Sequence, residues 1–277
     1  MTTEQIDRPL TLDLSGTPRT PFLRLVRVEW RKMLDTRAGF WLLAITGLML
    51  LLTISLTLLV VTLTDSTVTA SGLSEILMLP VSVLIPVFAV LTVTNEWGQR
   101  THMVTFALEP RRLRVIAAKL SAVSGLAVLT IVVAIVLGAL GNLMYGVLTG
   151  NEVVWDLEAS TLAWAVTVQI LFFLMGFGLA TLLLNTPGAI ALFYLFGFIL
   201  PFMVYAPLLA FFDWARAVLP WVDMNLAGAP LMAGVDLTGR IVEVGLIDYA
   251  RFGSAVLIWV VIPVTLGSLR VLRAEPR

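Results

Sequence analysis

Residues 39–63 read GFWLLAITGLMLLLTISLTLLVVTL, an apolar run that contains no charged side chain. An α-helix rises about 1.5 Å per residue, so about 20 apolar residues cross the roughly 30 Å hydrocarbon core of a lipid bilayer. The run is therefore long enough to cross a membrane as a single helix.

Five further apolar runs follow along the chain, and each is long enough to span. They cover residues 76–94, 116–141, 161–184, 189–211 and 252–269. The fifth run contains Pro201 and Pro207, so a broken or re-entrant helix would also fit it. The six runs together predict an all-α integral membrane protein with six transmembrane helices.

Composition agrees with this fold class and narrows the chemistry. Of 277 residues, 59% are hydrophobic and 13% are charged, whereas soluble domains carry about 25% charged residues. The net charge is zero, which gives no field to attract nucleic acid. Cysteine is absent and His102 is the only histidine, so neither thiolate chemistry nor a histidine-built metal site is expected. We expect no catalytic residues and no metal ligands.

The region before the first run divides into two parts. Residues 1–21 are polar and rich in proline, and we expect a flexible tail. From residue 22 to 36, apolar residues recur at helical spacing and arginines take the other side. The apolar members are Phe22, Val26, Trp30 and Met33. This pattern predicts an amphipathic helix lying in the membrane interface, although an ordinary helix facing water is the alternative.

Residues 22–277 form a single transmembrane domain on this interpretation, without an evident internal repeat. The segment 212–250, before the sixth run, alternates apolar and turn residues. It is too short for a domain and too apolar for a free loop. We expect short helices packed at the outer membrane interface, with Trp214 and Trp221 as anchors.

The distribution of basic residues predicts the orientation. Residues 1–38, 95–119 and 270–277 carry seven, five and three lysines and arginines, and the alternate segments together carry only three. Basic residues concentrate on the cytoplasmic side of membrane proteins. Both termini are therefore expected in the cytoplasm.

Few polar groups lie inside the predicted spans. No ionisable residue lies well inside them, and Lys119 is close enough to a helix end to extend toward water. This pattern disfavours an ion-driven carrier, which usually needs a buried carboxylate. Gln169 is the one amide deep in a span, and it is a candidate polar residue of a translocation path.

The segment 95–119, NEWGQRTHMVTFALEPRRLRVIAAK, is the sizeable loop on the basic side. Glu96 and Trp97 open it, an amphipathic stretch follows, and Glu109-Pro110 precedes a basic run. We expect a short helix that docks on something in the cytoplasm. The alternative is that its basic residues only fix the orientation.

This loop resembles the permease subunits of type-2 ATP-binding cassette (ABC) exporters. Those carry a Glu-aromatic-x-x-Gly-Thr sequence, then a proline, a basic cluster and an Ala-x-Lys that enters the third span. The corresponding residues here are Glu96, Trp97, Thr101, Pro110, Arg112 and Lys119, with Arg100 in place of the glycine. The stretch VEWRKMLDTRAGFWLL at 28–43 is similar to the family's amphipathic elbow helix and first span.

The resemblance implies a permease subunit in a bacterial plasma membrane. Two permeases, copies or relatives, would pair within the membrane lipids, and two separate ATPase subunits would bind ATP and Mg²⁺. This chain would bind no cofactor itself. The loop would couple it to an ATPase through residues that include Glu96, Trp97, Arg100, Thr101, Phe106, Pro110 and Arg112. Apolar spans favour a hydrophobic or amphiphilic cargo, such as a drug-like compound or a lipid.

Two other classes of function stay open from the sequence. The first is a stand-alone secondary carrier or channel. The second is a non-transporting membrane scaffold or immunity protein. Neither would need an ATPase partner.

Overall fold

A computed structural model describes residues 20–99, 101–234 and 243–273, except the side chains of His102 and Ala233. The predicted tail therefore lies almost wholly outside the described residues, and so does Arg100 of the predicted coupling loop.

The described residues form helices and no strand. The helices are α1 (Phe22–Asp35), α2 (Arg37–Leu63), α3 (Ala70–Gly98), α4 (His102–Leu108), α5 (Arg112–Thr149), α6 (Ala159–Leu183), α7 (Thr186–Phe211), α8 (Asp213–Val218), α9 (Met224–Ala233) and α10 (Leu246–Arg273). Six of these, α2, α3, α5, α6, α7 and α10, are long and apolar enough to cross a membrane. The predicted number of spans is confirmed.

The helices extend beyond several of the predicted apolar runs. The third is the longest, with 38 residues, or about 57 Å at 1.5 Å per residue. The second begins at Ala70 rather than 76, because Thr69 and Asp156 accept hydrogen bonds from its first backbone N–H groups. Side-chain capping of this kind extends a helix past its apolar residues.

The fifth span, α7, is one continuous helix. Its middle, Leu195–Tyr205, is wound as a π-helix that contains Pro201, and α-helical turns lie on either side. Proline has no N–H to donate to a backbone hydrogen bond, and the wider π-helical turn lets the helix continue past it. The chain is therefore not broken at this proline.

The core of the bundle lies around α3. Its buried residues, including Val81, Ile85 and Phe88, form one apolar cluster with residues of α5 and α6. At Gly176 of α6, an added Cβ would lie 3.0 Å from the Pro86 carbonyl oxygen of α3. The two backbones can approach this closely because the residue has no side chain. By contrast, α2 and α7 are mostly exposed and apolar.

The segment before the sixth span does contain short helices. A 3₁₀ turn at Leu219–Trp221 separates α8 from α9. The Ser254 hydroxyl donates to the Trp221 carbonyl and the Trp259 indole N–H donates to the Val222 carbonyl, at 2.7 Å each. These bonds fix the 3₁₀ turn against α10. A position at the outer membrane interface remains a prediction.

Candidate functional site

Several helix ends meet at one end of the bundle, which we call the basic end. Arg112, the first residue of α5, donates to the carbonyls of Val271 and Leu272 in α10, at 3.1 and 3.0 Å. Arg270 of α10 donates to the carbonyl of Leu182 near the end of α6. The α3–α5 connection and the ends of α6 and α10 therefore lie together.

Four charged side chains form a closed ring at the basic end. The ammonium of Lys32 lies 2.8 Å from Oε1 of Glu29 and 2.8 Å from Oε1 of Glu96. The ammonium of Lys119 lies 2.8 Å from Oε2 of Glu29 and 2.8 Å from Oε1 of Glu96. Positive and negative groups alternate around this ion-pair ring, which joins α1, α3 and α5.

Three of the four members of the ring are buried. The exposed fraction of the side chain is 6% for Glu29, 8% for Lys119 and 11% for Glu96, against 42% for Lys32. A buried charge is costly unless it is paired and hydrogen-bonded. The lysines provide those partners, and Lys119 also donates to the Thr92 carbonyl at 3.3 Å.

The expectation that Lys119 extends toward water is wrong. Its ammonium turns inward because two carboxylates lie within 2.8 Å of it. Glu96 lies just beyond the predicted second span, in the last turn of α3, and it is buried there. The sequence interpretation missed Glu29 entirely. The available signal was the Glu29–Lys32 spacing on α1, which places both residues on one helix face.

Lys32 lies on α1, outside the spans, as Glu29 does. Burial works to lower the pKa of Lys32, but hydrogen bonds to Glu29 and Glu96 outweigh it and raise the pKa above the ordinary lysine value. A raised lysine pKa gives stability that is complete below the ordinary value and is lost as the pH rises through the raised one. The pairs that Lys32 makes are therefore intact at neutral pH.

Helix α1 packs by its apolar face on the protein itself. Met33 is buried, and the Trp30 ring lies against Gly125 of α5. Val26 is half-buried and Phe22 is exposed. The predicted amphipathic helix therefore exists, with its inner half held by α5. Its place in the membrane interface remains a prediction.

The predicted coupling loop contains the short helix α4. The rings of Trp97 and Phe106 make an edge contact with centroids 6.5 Å apart, and the Arg112 guanidinium lies 5.0 Å from the Phe106 centroid. On the outer side of α4, Val104 is 62% exposed and Leu108 is 79% exposed. The helix is thus held on one side and presents apolar side chains on the other.

Arg114 of α5 connects this loop to the residues just before α1. Arg114 bonds to Glu109 at 3.0 Å and donates to the Thr20 carbonyl at 2.9 Å. Pro110 follows Glu109 and is exposed, and Thr101 precedes α4 and accepts its first backbone hydrogen bonds. The loop is therefore tied to α1, α5 and α10 by named contacts.

Gln169 is distant from these residues in the sequence. It lies in the core of the bundle, on α6. Its side chain is 7% exposed and donates to the Met78 carbonyl at 2.9 Å. The amide bridges α6 and α3 within this chain. Its role in a translocation path remains a prediction.

No family model matches the sequence, and no curated protein matches it. Among the described residues, no group of three or more histidine or acidic side chains is placed to hold a metal ion. The functional interpretation therefore depends on the geometry of the basic end.

Proposed function

We propose that this chain is the membrane-spanning permease subunit of an ABC exporter. The observation that carries the proposal is the ring of ion pairs beside α4. It connects the helix that precedes the first span to the adjoining ends of the second and third spans. The short helix α4, which has exposed apolar side chains, connects the same ends of the second and third spans. A partner that moves α4 would therefore move α1, α3 and α5 together.

In this proposal α4 is the contact with the ATPase. Val104 and Leu108 are exposed on a helix of only 7 residues, which is too short to span a membrane. Exposed apolar side chains that are rimmed by polar ones are typical of protein interfaces. The Arg112 and Arg114 contacts hold α4 against α5, so a displacement of α4 would reach α1 and α10 as well.

The remaining parts of the proposal follow from the resemblance and the charge distribution. Two permeases pair in a bacterial plasma membrane, with the basic end in the cytoplasm and an ATPase bound to each α4. ATP and Mg²⁺ bind to the ATPases. The cargo is hydrophobic or amphiphilic and passes between the two permeases.

Co-purification tests the proposal. The full chain is expressed with its neighbouring genes, solubilised in detergent and isolated, and a P-loop ATPase is expected with it. Leu108→Glu is expected to remove the ATPase, because a carboxylate replaces an exposed apolar contact. The matched control is Met232→Glu on α9, where the original residue is 51% exposed. If wild-type protein isolates without an ATPase and transports alone in liposomes, the proposal is wrong.

The buried carboxylates favour one second candidate, a proton-coupled carrier. Glu29 and Glu96 are the type of buried acid that such carriers use. Both are neutralised by lysines at 2.8 Å, which makes this the weaker candidate. A carrier would transport in liposomes under a pH gradient without ATP, and Glu29→Gln would abolish that transport.

A further inference from the structure

A large cavity opens beside the ion-pair ring, between α1, α3, α4 and the start of α5. Its volume is about 760 Å³, within the roughly 300–1,000 Å³ typical of small-molecule sites. Residues of this one chain line it.

The walls of the cavity are largely apolar. Leu25, Val28 and Met33 line it from α1, and Val104 and Leu108 line it from α4. Val28 is 45% exposed, and the two α4 residues are more exposed still, so apolar side chains stand at the opening as well. Apolar walls that reach the opening suit a flexible hydrocarbon chain, for which burial is worth about 0.8 kcal/mol per CH₂ group.

The polar groups of the cavity define the charge of its ligand. Glu29, Glu96 and Glu109 all line it, but each is paired with a lysine or arginine. Among the described residues, Arg24 is the lining cation that makes no ion pair or side-chain hydrogen bond. A cationic ligand would therefore meet only neutralised acids, whereas an anionic ligand would meet an unpaired guanidinium.

Two amides add neutral hydrogen-bond donors. The side chains of Asn95 and Gln99 line the cavity and make no hydrogen bond to other described residues. Arg24 precedes Lys32 of the ring by eight residues, or about 12 Å along α1. An anionic head at Arg24 would therefore lie about two helical turns from Lys32 of the ion-pair ring.

We propose that this cavity binds an anionic amphiphile with a single acyl chain. A carboxylate or phosphate head bonds to the Arg24 guanidinium, which matches either group in a bidentate geometry. The chain lies between the apolar faces of α1 and α4. The inference shares Val104 and Leu108 with the proposed ATPase contact, so it is tested on the chain isolated without a partner, where loss of lipid binding and loss of the ATPase contact are distinguishable.

Photolabelling of the full chain in detergent tests the site. The probe is palmitic acid with a diazirine on its chain, and labelled peptides are identified by mass spectrometry. Label is expected on α1 and α4. Unlabelled palmitate or lysophosphatidic acid should compete, and whichever competes at the lower concentration identifies the head group. Hexadecyltrimethylammonium should not compete.

Substitutions separate the head from the chain. Arg24→Gln is expected to weaken palmitate competition about tenfold, as expected for loss of a partly exposed charge-assisted hydrogen bond, with hexadecanol competition unchanged. Arg27→Gln is the matched control, because Arg27 is also exposed on α1 but does not line the cavity. Val104→Trp, which fills the opening, should reduce labelling by the diazirine probe.

Two results would overturn the proposal. One is label spread over the exposed faces of α2 and α7 without enrichment on α1 and α4. The other is equal palmitate competition in wild type and Arg24→Gln.

Discussion

Buried carboxylates at the basic end form ion pairs that join three helices, whereas carboxylates at the opposite end accept hydrogen bonds from backbone N–H groups near helix starts. At the basic end, Glu29, Lys32, Glu96 and Lys119 pair across three helices. At the opposite end, Asp156 accepts from the N–H and hydroxyl of Ser71, at 2.9 and 2.6 Å. Asp223 and Asp248 similarly accept from backbone N–H groups at the starts of α9 and α10.

This difference has a mechanical consequence. Asp223 and Asp248 cap the starts of their own helices, so neighbouring helices can shift without breaking those bonds. Asp156 instead joins the α5–α6 connection to the start of α3. An ion pair between buried groups on different helices holds those helices in one arrangement, since separation leaves charges without partners. Displacement of α1 is therefore expected to pull on α3 and α5, whereas the described elements at the opposite end are joined by hydrogen bonds such as Ser71–Asp156 and Trp259–Val222.

The largest expected effect is the loss of Lys119. Lys119→Met removes from the buried Glu29 and Glu96 a lysine partner that lies 2.8 Å from each, and the lysine they still share, Lys32, is partly exposed. Removing one partner from a buried ion pair typically costs about 3–5 kcal/mol. Thermal unfolding of the detergent-solubilised protein should show a correspondingly large loss of stability.

A second variant controls for the loss of packing. Glu29→Gln with Lys119→Met removes one charge of each sign, so the remaining Lys32–Glu96 pair is balanced. The double variant should recover part of the stability lost in Lys119→Met alone. If it is less stable by the sum of the two single effects, charge balance is not what stabilises this end.

The spans could be predicted from the sequence because the bilayer requires each of them to be long and apolar, whatever its neighbours are. A helix of about 20 apolar residues can be recognised without knowledge of its neighbours. The ring could not be recognised in that way. Glu96 is 64 residues from Lys32, and Glu29 is 90 residues from Lys119. Whether Lys119 turns inward or toward water depends on those distant partners, and neither periodicity nor composition reports them.

The same distinction applies to the predicted coupling residues. The segment 95–119 stood out because polar and turn residues interrupt the spans, and the structure does place a helix there. The bonds from Arg112 to α10 and from Arg114 to Thr20 were not predictable. Basic residues next to a span are expected on the cytoplasmic side of any membrane protein. The sequence therefore does not show that these arginines also join helices.

Asp156 should show a smaller and local effect. Asp156→Asn keeps the shape but replaces charge-assisted hydrogen bonds with neutral ones, at an expected cost of about 1 kcal/mol. Partial burial works to raise the pKa of Asp156, but the bonds from Ser71 outweigh it and hold the pKa below its ordinary value. A lowered acid pKa gives stability that is present above the ordinary value and lost as the pH falls through the lowered one.

Unfolding temperatures of wild type and Asp156→Asn should therefore differ at pH 7 and converge in strong acid. Hydrogen exchange separates a local effect from a global one. Faster exchange is expected in the first turn of α3 and not in α1. Faster exchange in both α3 and α1 would mean that Asp156 is coupled to the ion-pair ring, and that its effect is not local.

Lys32 should give the smallest effect, although it belongs to the same ring as Lys119. Its side chain is 42% exposed against 8% for Lys119. Water therefore screens its two ion pairs, and exposed pairs are worth roughly 0–1 kcal/mol. Lys32→Met should lower the stability by about that amount, with Arg31→Met as the matched control on the exposed side of α1. A loss as large as that of Lys119→Met would show that the ring acts as one cooperative unit, in which burial of the individual lysine does not set its contribution.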